Sequence, residues 1–185
     1  MKTIEDFLIH FRRERAWTRT LFAAVPEEHA SWAPGPDDFS CLGLLRHLMQ
    51  AEVFWRRLLL AAARGEPFDP FRLPGTTTER LAAFRAPNVQ ASRSEKYGAS
   101  VAECLANWVE IQAATESELR TITPEQFESA SARHPLSGMT ARLWELALVM
   151  FSHEGHHRGQ LSAYLKVLGV PQPPILGTEP GAEAR

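Results

Sequence analysis

FSHEGHHRGQL, residues 151–161, is the most informative part of this sequence, because it carries three of the seven histidines of the chain. Residues four apart on a helix share a face, so a helix here points His153 and His157 the same way. His156 is turned by about 100° from His157. The pair continues an apolar row and therefore faces the interior of a helical bundle. That row consists of Leu143, Leu146 and Met150, extended by Gln160, Leu161 and Tyr164.

The histidine segment lies within the fourth of four long helical patterns. We expect this helix to run from Thr140 to Leu168, with Gly169 at the C′ position. The other three patterns have apolar positions spaced for helices. The first runs from about Thr3 to Ala24, the second from an N-cap at Ser40 to about Arg64, and the third from Ser94 or Ser100 to Leu119.

Residues 66–93 form a proline-containing connection between the second and third helices, with room for a short helix at Thr78–Arg85. Such a connection is long enough to travel the length of a bundle, so the second and third helices can run parallel. No run of residues indicates a strand. The sequence thus predicts an all-α four-helix bundle in up-down-down-up order, with one domain at residues 1–171 and a loose tail at 172–185.

Composition excludes several classes of protein. With 185 residues, 44% of them hydrophobic and 23% charged, the chain can bury a core without disulfides. A formal net charge of −2 gives no general attraction to nucleic acid or anionic membranes. The first residues lack the apolar core of a signal peptide, and no apolar run is long enough to span a membrane. We therefore expect a cytoplasmic protein with buried thiols at Cys41 and Cys104.

A third inward-facing histidine lies on the second helix. His47 shares its row with Leu44, Leu48 and Ala51. A single histidine on an apolar face is usually a hydrogen-bonded core residue. Here a pair already faces inward from another helix, and bundle interiors often draw metal ligands from facing helices. We therefore predict that His47 joins His153 and His157 in binding one divalent metal ion.

Three neutral imidazoles suit zinc or nickel best, with iron or manganese as further candidates. They leave coordination positions open, which is typical of a catalytic site, and a metal there lowers the pKa of a bound water or thiol. Two alternatives stay open at this point. The protein can be a non-catalytic metal-binding or stress-response module, or a structural bundle whose histidines bind nothing.

Residues 153–157 also match H-E-x-x-H, the zinc-protease motif, in which Glu154 would be the general base. The extended form of that motif requires a glycine and a further histidine at spacings that are absent here. No predicted strand supplies an edge for a peptide substrate. We therefore favour an interpretation of Glu154 as a solvent-facing acid or as one that supports a ligand from behind.

Residues 153–161, HEGHHRGQL, resemble the C-terminal helix signature of the DinB/YfiT-like superfamily of metal-binding four-helix bundles. The segments SWAP at 31–34, FS at 39–40 and LLRHL at 44–48 resemble its first connector and second helix. The resemblance implies a homodimer of up-down-down-up bundles and a metal site at His47, His153 and His157. Some members of this superfamily are S-transferases or isomerases that use the small thiols bacillithiol or mycothiol.

Taken together, the residues and the resemblance predict a metal-dependent enzyme that transfers a small thiol or hydrolyses a small substrate. Its partners would be small molecules, with neither nucleic acid nor membrane involved. Gln160 or Tyr164 could orient a ligand or a nearby water, although helix packing explains both equally well. For Trp55 and Trp108 we favour core filling over a place in the pocket.

Overall fold

A computed structural model describes residues 2–70 and 75–174. The predicted tail at 172–185 lies outside the described residues from residue 175 onward. The helices and strands are α1 Ile4–Ala23, α2 Cys41–Ala63, α3 Thr77–Ser92, α4 Val101–Leu119, α5 Pro124–Ser129, β1 Ser131–Arg133, β2 Thr140–Arg142 and α6 Leu143–Val167.

The four long helices, α1, α2, α4 and α6, form the bundle. Helix α1 packs on α4 and α6, and helix α2 packs on the same two partners. Side-chain contacts give the direction of α2 relative to α4. Glu52 of α2 accepts a hydrogen bond from Trp108 of α4, and Arg56, one turn further along α2, pairs with Glu118, which is further along α4. The residue numbers of the contacting pairs increase together on the two helices, so α2 and α4 run parallel, as the length of their connection predicts.

Contacts of α1 complete the topology. The ring of Phe7 stacks on Phe151, and Glu14, further along α1, pairs with Arg158, further along α6, so α1 and α6 are also parallel. Against α4 the order reverses, since Arg12 pairs with Glu116 whereas the earlier Glu5 pairs with Arg120. The predicted all-α, up-down-down-up bundle is therefore confirmed.

Local signals in the sequence fix the helix ends. Ser40 accepts a hydrogen bond from the backbone N–H of Gly43 and caps α2, as predicted. The Ser100 hydroxyl caps α4 in the same way, so the third long helix begins after Ser100 and not after Ser94. At the end of α6, Gly169 has a φ of +69°, a left-handed conformation that favours glycine and ends the helix.

Two expectations about regular structure are wrong. The fourth long helix does not begin at Thr140, because Thr140–Arg142 form strand β2, which pairs antiparallel with β1. Residues 134–138 form the turn of this hairpin. The expectation of no strands also fails here. Each strand has only three residues, too few for an alternating pattern to stand out in the sequence.

The helix predicted at Thr78–Arg85 is twice as long in the structure, since α3 spans Thr77–Ser92 and continues through Pro87. Thr76 and Glu79 form a capping box at its start. Helix α3 packs on α2, so the connection between α2 and α4 covers one side of the bundle. This placement brings residues of the connection up to the histidines.

Two groups of buried apolar side chains lie at opposite ends of the bundle. The first includes Phe7, Phe11, Leu58, Phe127 and Leu146. The second includes Phe22, Leu45, Cys41, Cys104 and Leu161, so both thiols are buried as expected. On α6, His153 and His157 lie between the residues of the first group and those of the second, whereas His47 lies among the residues of the second group on α2. No helix of the described residues is long and apolar enough to cross a bilayer.

Candidate metal centre

The structure brings His47, His153 and His157 together. The Nε2 atom of His153 lies 3.1 Å from the Nε2 of His47 and 3.1 Å from the Nε2 of His157. His153 and His157 come from the same face of α6, and His47 reaches them from α2. His47 and His157 are buried, and His153 is partly buried. These three residues form a group that could hold a metal ion.

The spacing of the nitrogens fits a shared ion. Two imidazole nitrogens bound at about 2.0–2.1 Å to one ion lie roughly 2.8–3.4 Å apart, from octahedral geometry at the short end to tetrahedral geometry at the long end. Without an ion, each of the two 3.1 Å contacts of His153 needs a proton between its two nitrogens. Both contacts use the same Nε2 atom of His153, and a neutral imidazole carries only one proton on its two nitrogens. A cation accepts all three lone pairs at once, so the donor set suits a metal better than a hydrogen-bonded cluster.

Two amide side chains hold the outer nitrogens of the rings. The Nδ1 of His157 lies 2.6 Å from Gln160 Oε1, which can only accept, so Nδ1 carries the proton and Nε2 is left bare. The amide of Asn88, on α3, lies 3.1 Å from the Nδ1 of His47. Turning that amide by 180° places its oxygen there and allows the same arrangement. Such hydrogen bonds from behind fix the tautomer and the orientation of a metal ligand.

The ring of Phe39 provides an apolar side to the site. It stacks on His47, with centroids 4.8 Å apart, and meets His157 edge-on at 5.9 Å. Burial lowers the pKa of all three histidines, to about 3 for His47, about 2 for His153 and about 4 for His157. Neighbouring rings add to the effect at each. The imidazoles are therefore neutral at pH 7, the form that binds metals.

Glu154 does not face solvent, contrary to one of the roles expected for it. Its carboxylate is buried and accepts a hydrogen bond from Arg15 of α1 at 3.0 Å. The same guanidinium hydrogen-bonds to Glu52 of α2, and its Cζ atom lies 3.8 Å from the ring centroid of Trp108. Because α6 contacts both α1 and α2, Glu154 also faces the interior, toward α1, whereas His153 faces α2.

The remaining residues that the sequence singles out have separate places. Gln160 is at the site, on the Nδ1 of His157. Tyr164 packs its ring edge-on against Trp32, with centroids 5.3 Å apart. Trp108 is fully buried in the core, as favoured, whereas Trp55 lines a cavity and is not only a core residue.

A cavity of about 490 Å³ opens beside the histidines, and both His47 and His153 line it. Helices α2 and α3 provide most of its walls. The apolar lining includes Phe54, Trp55, Phe68, Leu81 and Phe84, and its polar lining includes Gln50, Asn88, Tyr97 and His134. A small molecule in this cavity would therefore reach the two imidazoles that line it.

Sequence reasoning missed Asn88 and His134. Asn88 lies beyond the end predicted for the crossover helix, and its role depends on α3 packing against α2. His134 belongs to the hairpin turn, where its Nδ1 accepts a hydrogen bond from the backbone N–H of Ser137. Its ring lies 5.2 Å from that of Trp55. No local pattern in the sequence predicts either contact.

Comparison with known families agrees with the fold. The model of the DinB superfamily matches residues 10–161, which include all three histidines of the group. No curated protein sequence matches this chain.

Two crystal structures share the fold. A DinB-like protein from Bacillus subtilis has a TM-score of 0.61 at 18% identity, and the alignment covers 91% of this chain and 95% of that one. A DinB-like protein from Bacillus cereus also has a TM-score of 0.61, at 17% identity, over 94% of this chain and 97% of the other. At such low identity the likeness concerns the fold.

Proposed function

The chain belongs to the DinB superfamily, and from this premise we propose that it is a metal-dependent enzyme acting on a small molecule. The proposed ligands are His47, His153 and His157, and the proposed ion is zinc or nickel. The reaction is transfer of a small thiol to an electrophile, or hydrolysis of a small substrate.

One observation carries the proposal: the three imidazoles lie beside a cavity of about 490 Å³ that two of them line. A structural metal site is usually closed by four protein ligands. Among the described residues, the group contains three histidines and no fourth ligand. A three-histidine site next to a cavity of ligand size is instead typical of a catalytic centre.

A bound divalent ion would supply Lewis acidity, which lowers the pKa of a coordinated thiol or water. The protein provides the rest. Gln160 and Asn88 hold the imidazole rings in orientation, and Phe39 excludes water from one side of His47. In a transfer reaction the sulfur forms a bond to the electrophilic carbon as the leaving group departs with its electron pair, and the thiol proton passes to solvent or to the leaving group.

The geometry argues against a zinc protease. In H-E-x-x-H enzymes the glutamate acts as a base beside the metal, whereas Glu154 hydrogen-bonds to buried Arg15. The two strands of the described chain have three residues each, which is short for binding an extended peptide. A non-catalytic metal-binding module is a further alternative, and the following experiment separates it from an enzyme.

We expect zinc- or nickel-loaded protein to accelerate at least one reaction in a panel that pairs cysteine, bacillithiol and mycothiol with monochlorobimane, and water with p-nitrophenyl acetate. Chelation should abolish the rate, and one equivalent of metal should restore it, because the ion is needed to activate the nucleophile. The rates are measured by fluorescence for the bimane product and by absorbance for nitrophenolate.

The control is the His156→Ala variant, since His156 is exposed and lies outside the three-histidine group. It should keep the rate that the His153→Ala variant loses. Stoichiometric metal with rates that stay equal to those of the chelated protein across the panel would favour the non-catalytic module.

A further inference from the structure

The charged residues at the cavity have one sign. Arg57 of α2 and Lys96, just before α4, both line it, and no acidic residue is among the described residues that do. Neither cation forms an ion pair within residues 2–70 and 75–174. The chain as a whole has a formal net charge of −2, so the positive charge of these two cations at the cavity is opposite in sign to the net charge of the chain. Such a cavity attracts anions.

Tyr97 lines the cavity together with the two cations. The ammonium of Lys96 lies 5.4 Å from the centroid of the Tyr97 ring. Burial raises the pKa of Tyr97, and the positive charge of Arg57 acts against that rise. The hydroxyl thus stays protonated at pH 7 and can donate a hydrogen bond. Arg57, Lys96 and Tyr97 together form what we call the cationic wall.

The histidine of the hairpin turn adds a donor. Because the Nδ1 of His134 accepts from the N–H of Ser137, its proton is on Nε2 in the neutral ring. The cavity thus combines donors and positive charge with an aromatic lining at Phe54, Trp55 and Phe84. Inorganic anions gain nothing from that lining, whereas an aromatic or branched apolar group gains burial there.

On this basis we propose that the cavity binds small organic anions with an apolar body, whose acid group contacts the cationic wall and whose body packs on the aromatic lining. This inference rests on the proposed function in one respect: it names the substrate class of the same site. Arg57 follows His47 by ten residues, or about 15 Å along α2 between Cα atoms. A ligand held at the cationic wall would therefore extend toward the histidines.

The test compares 1-naphthylacetate with 1-naphthylacetamide, which share a ring system and differ in charge. Binding is measured by isothermal titration calorimetry on metal-free protein, so that coordination of the carboxylate by an ion cannot contribute. We expect the carboxylate to bind about tenfold more tightly than the amide, because its charge meets two unpaired cations. We also expect inorganic phosphate to bind more weakly than the naphthyl carboxylate.

The double variant Arg57→Gln with Lys96→Gln should remove the preference for the carboxylate and leave binding of the amide unchanged. The matched control, Arg64→Gln with Lys166→Gln, changes the same charge at exposed positions outside the cavity lining and should retain the preference. Equal binding of carboxylate and amide to the unmodified protein, binding of neither, or a preference that survives loss of Arg57 and Lys96 would overturn the inference.

The outcome is distinguishable from that of the proposed function, because metal content and turnover are measured separately. An anion preference in protein that binds no metal would leave the inference standing and refute the proposed function. A metal-dependent enzyme that does not discriminate between the two naphthyl compounds would do the reverse.

Discussion

Replacing Arg15 by methionine is expected to lower the free energy of unfolding by about 3–5 kcal/mol, the range seen when one partner of a buried ion pair is removed. Arg15 has 3% of its surface exposed, and its guanidinium pairs with Glu52 and Glu154, which are also buried. Methionine leaves both carboxylates without their cation and also removes the stacking on Trp108. Urea denaturation followed by circular dichroism measures the change.

The control on the same helix is Arg13→Met. Arg13 is exposed, so we expect a change within about 0.5 kcal/mol. A second variant separates charge from packing: Arg15→Met combined with Glu52→Gln and Glu154→Gln should recover part of the loss, since no unpaired charge is then buried. A loss below about 1 kcal/mol in Arg15→Met would show that this buried network contributes little to stability.

Replacing His153 by alanine is expected to weaken zinc binding by about a hundredfold or more. Binding of structural zinc to four ligands is worth about 10–16 kcal/mol, or about 3 kcal/mol for each ligand, and 1.4 kcal/mol is a factor of ten. His153 is the central residue, since its Nε2 lies 3.1 Å from that of both other histidines. Competition with a chromophoric zinc chelator measures the affinity.

The matched control is His156→Ala on the same helix. This ring is exposed and touches His157 at a centroid distance of 5.0 Å, but it is outside the group that could hold an ion. Its removal should change the zinc affinity by less than about threefold, since it supplies no ligand. Equal losses in the two variants would mean that zinc binds elsewhere on this helix.

The parts of the site that depend on one helix could be predicted from the sequence. His153 and His157 are four residues apart within an apolar row, and that spacing alone fixes their common face. Placing His47 opposite them needed one further step, that an inward-facing histidine on another helix meets an inward-facing pair. Here that step agrees with the geometry, because an antiparallel neighbour brings the middle of α6 against the first half of α2.

The position of Glu154 could not be read from one periodicity. A helix of a four-helix bundle has two neighbours, so two of its faces are buried, and an analysis of one apolar row treats the second as exposed. A signal for the second face exists on α1. Arg15 follows Phe11 by four residues within a buried row, and a cation at such a position indicates a buried acid on a neighbouring helix.

The contribution of the crossover depends on tertiary packing. The proline at 87 indicates the end of a helix, yet α3 continues to Ser92 because its side packs on α2. Asn88 therefore reaches His47, and the cavity gains its outer wall. In the same way, the hairpin that carries His134 depends on pairing between Ala132 and Ala141, nine residues apart, which three-residue strands do not reveal in advance.

The metal content of the protein, produced without a histidine tag and dialysed against chelator-free buffer, tests the central claim most directly. The three converging imidazoles predict about one zinc or nickel ion per chain after loading and dialysis, measured by inductively coupled plasma mass spectrometry. A content near zero for both metals would contradict the account, because the histidines would then be only a buried polar cluster.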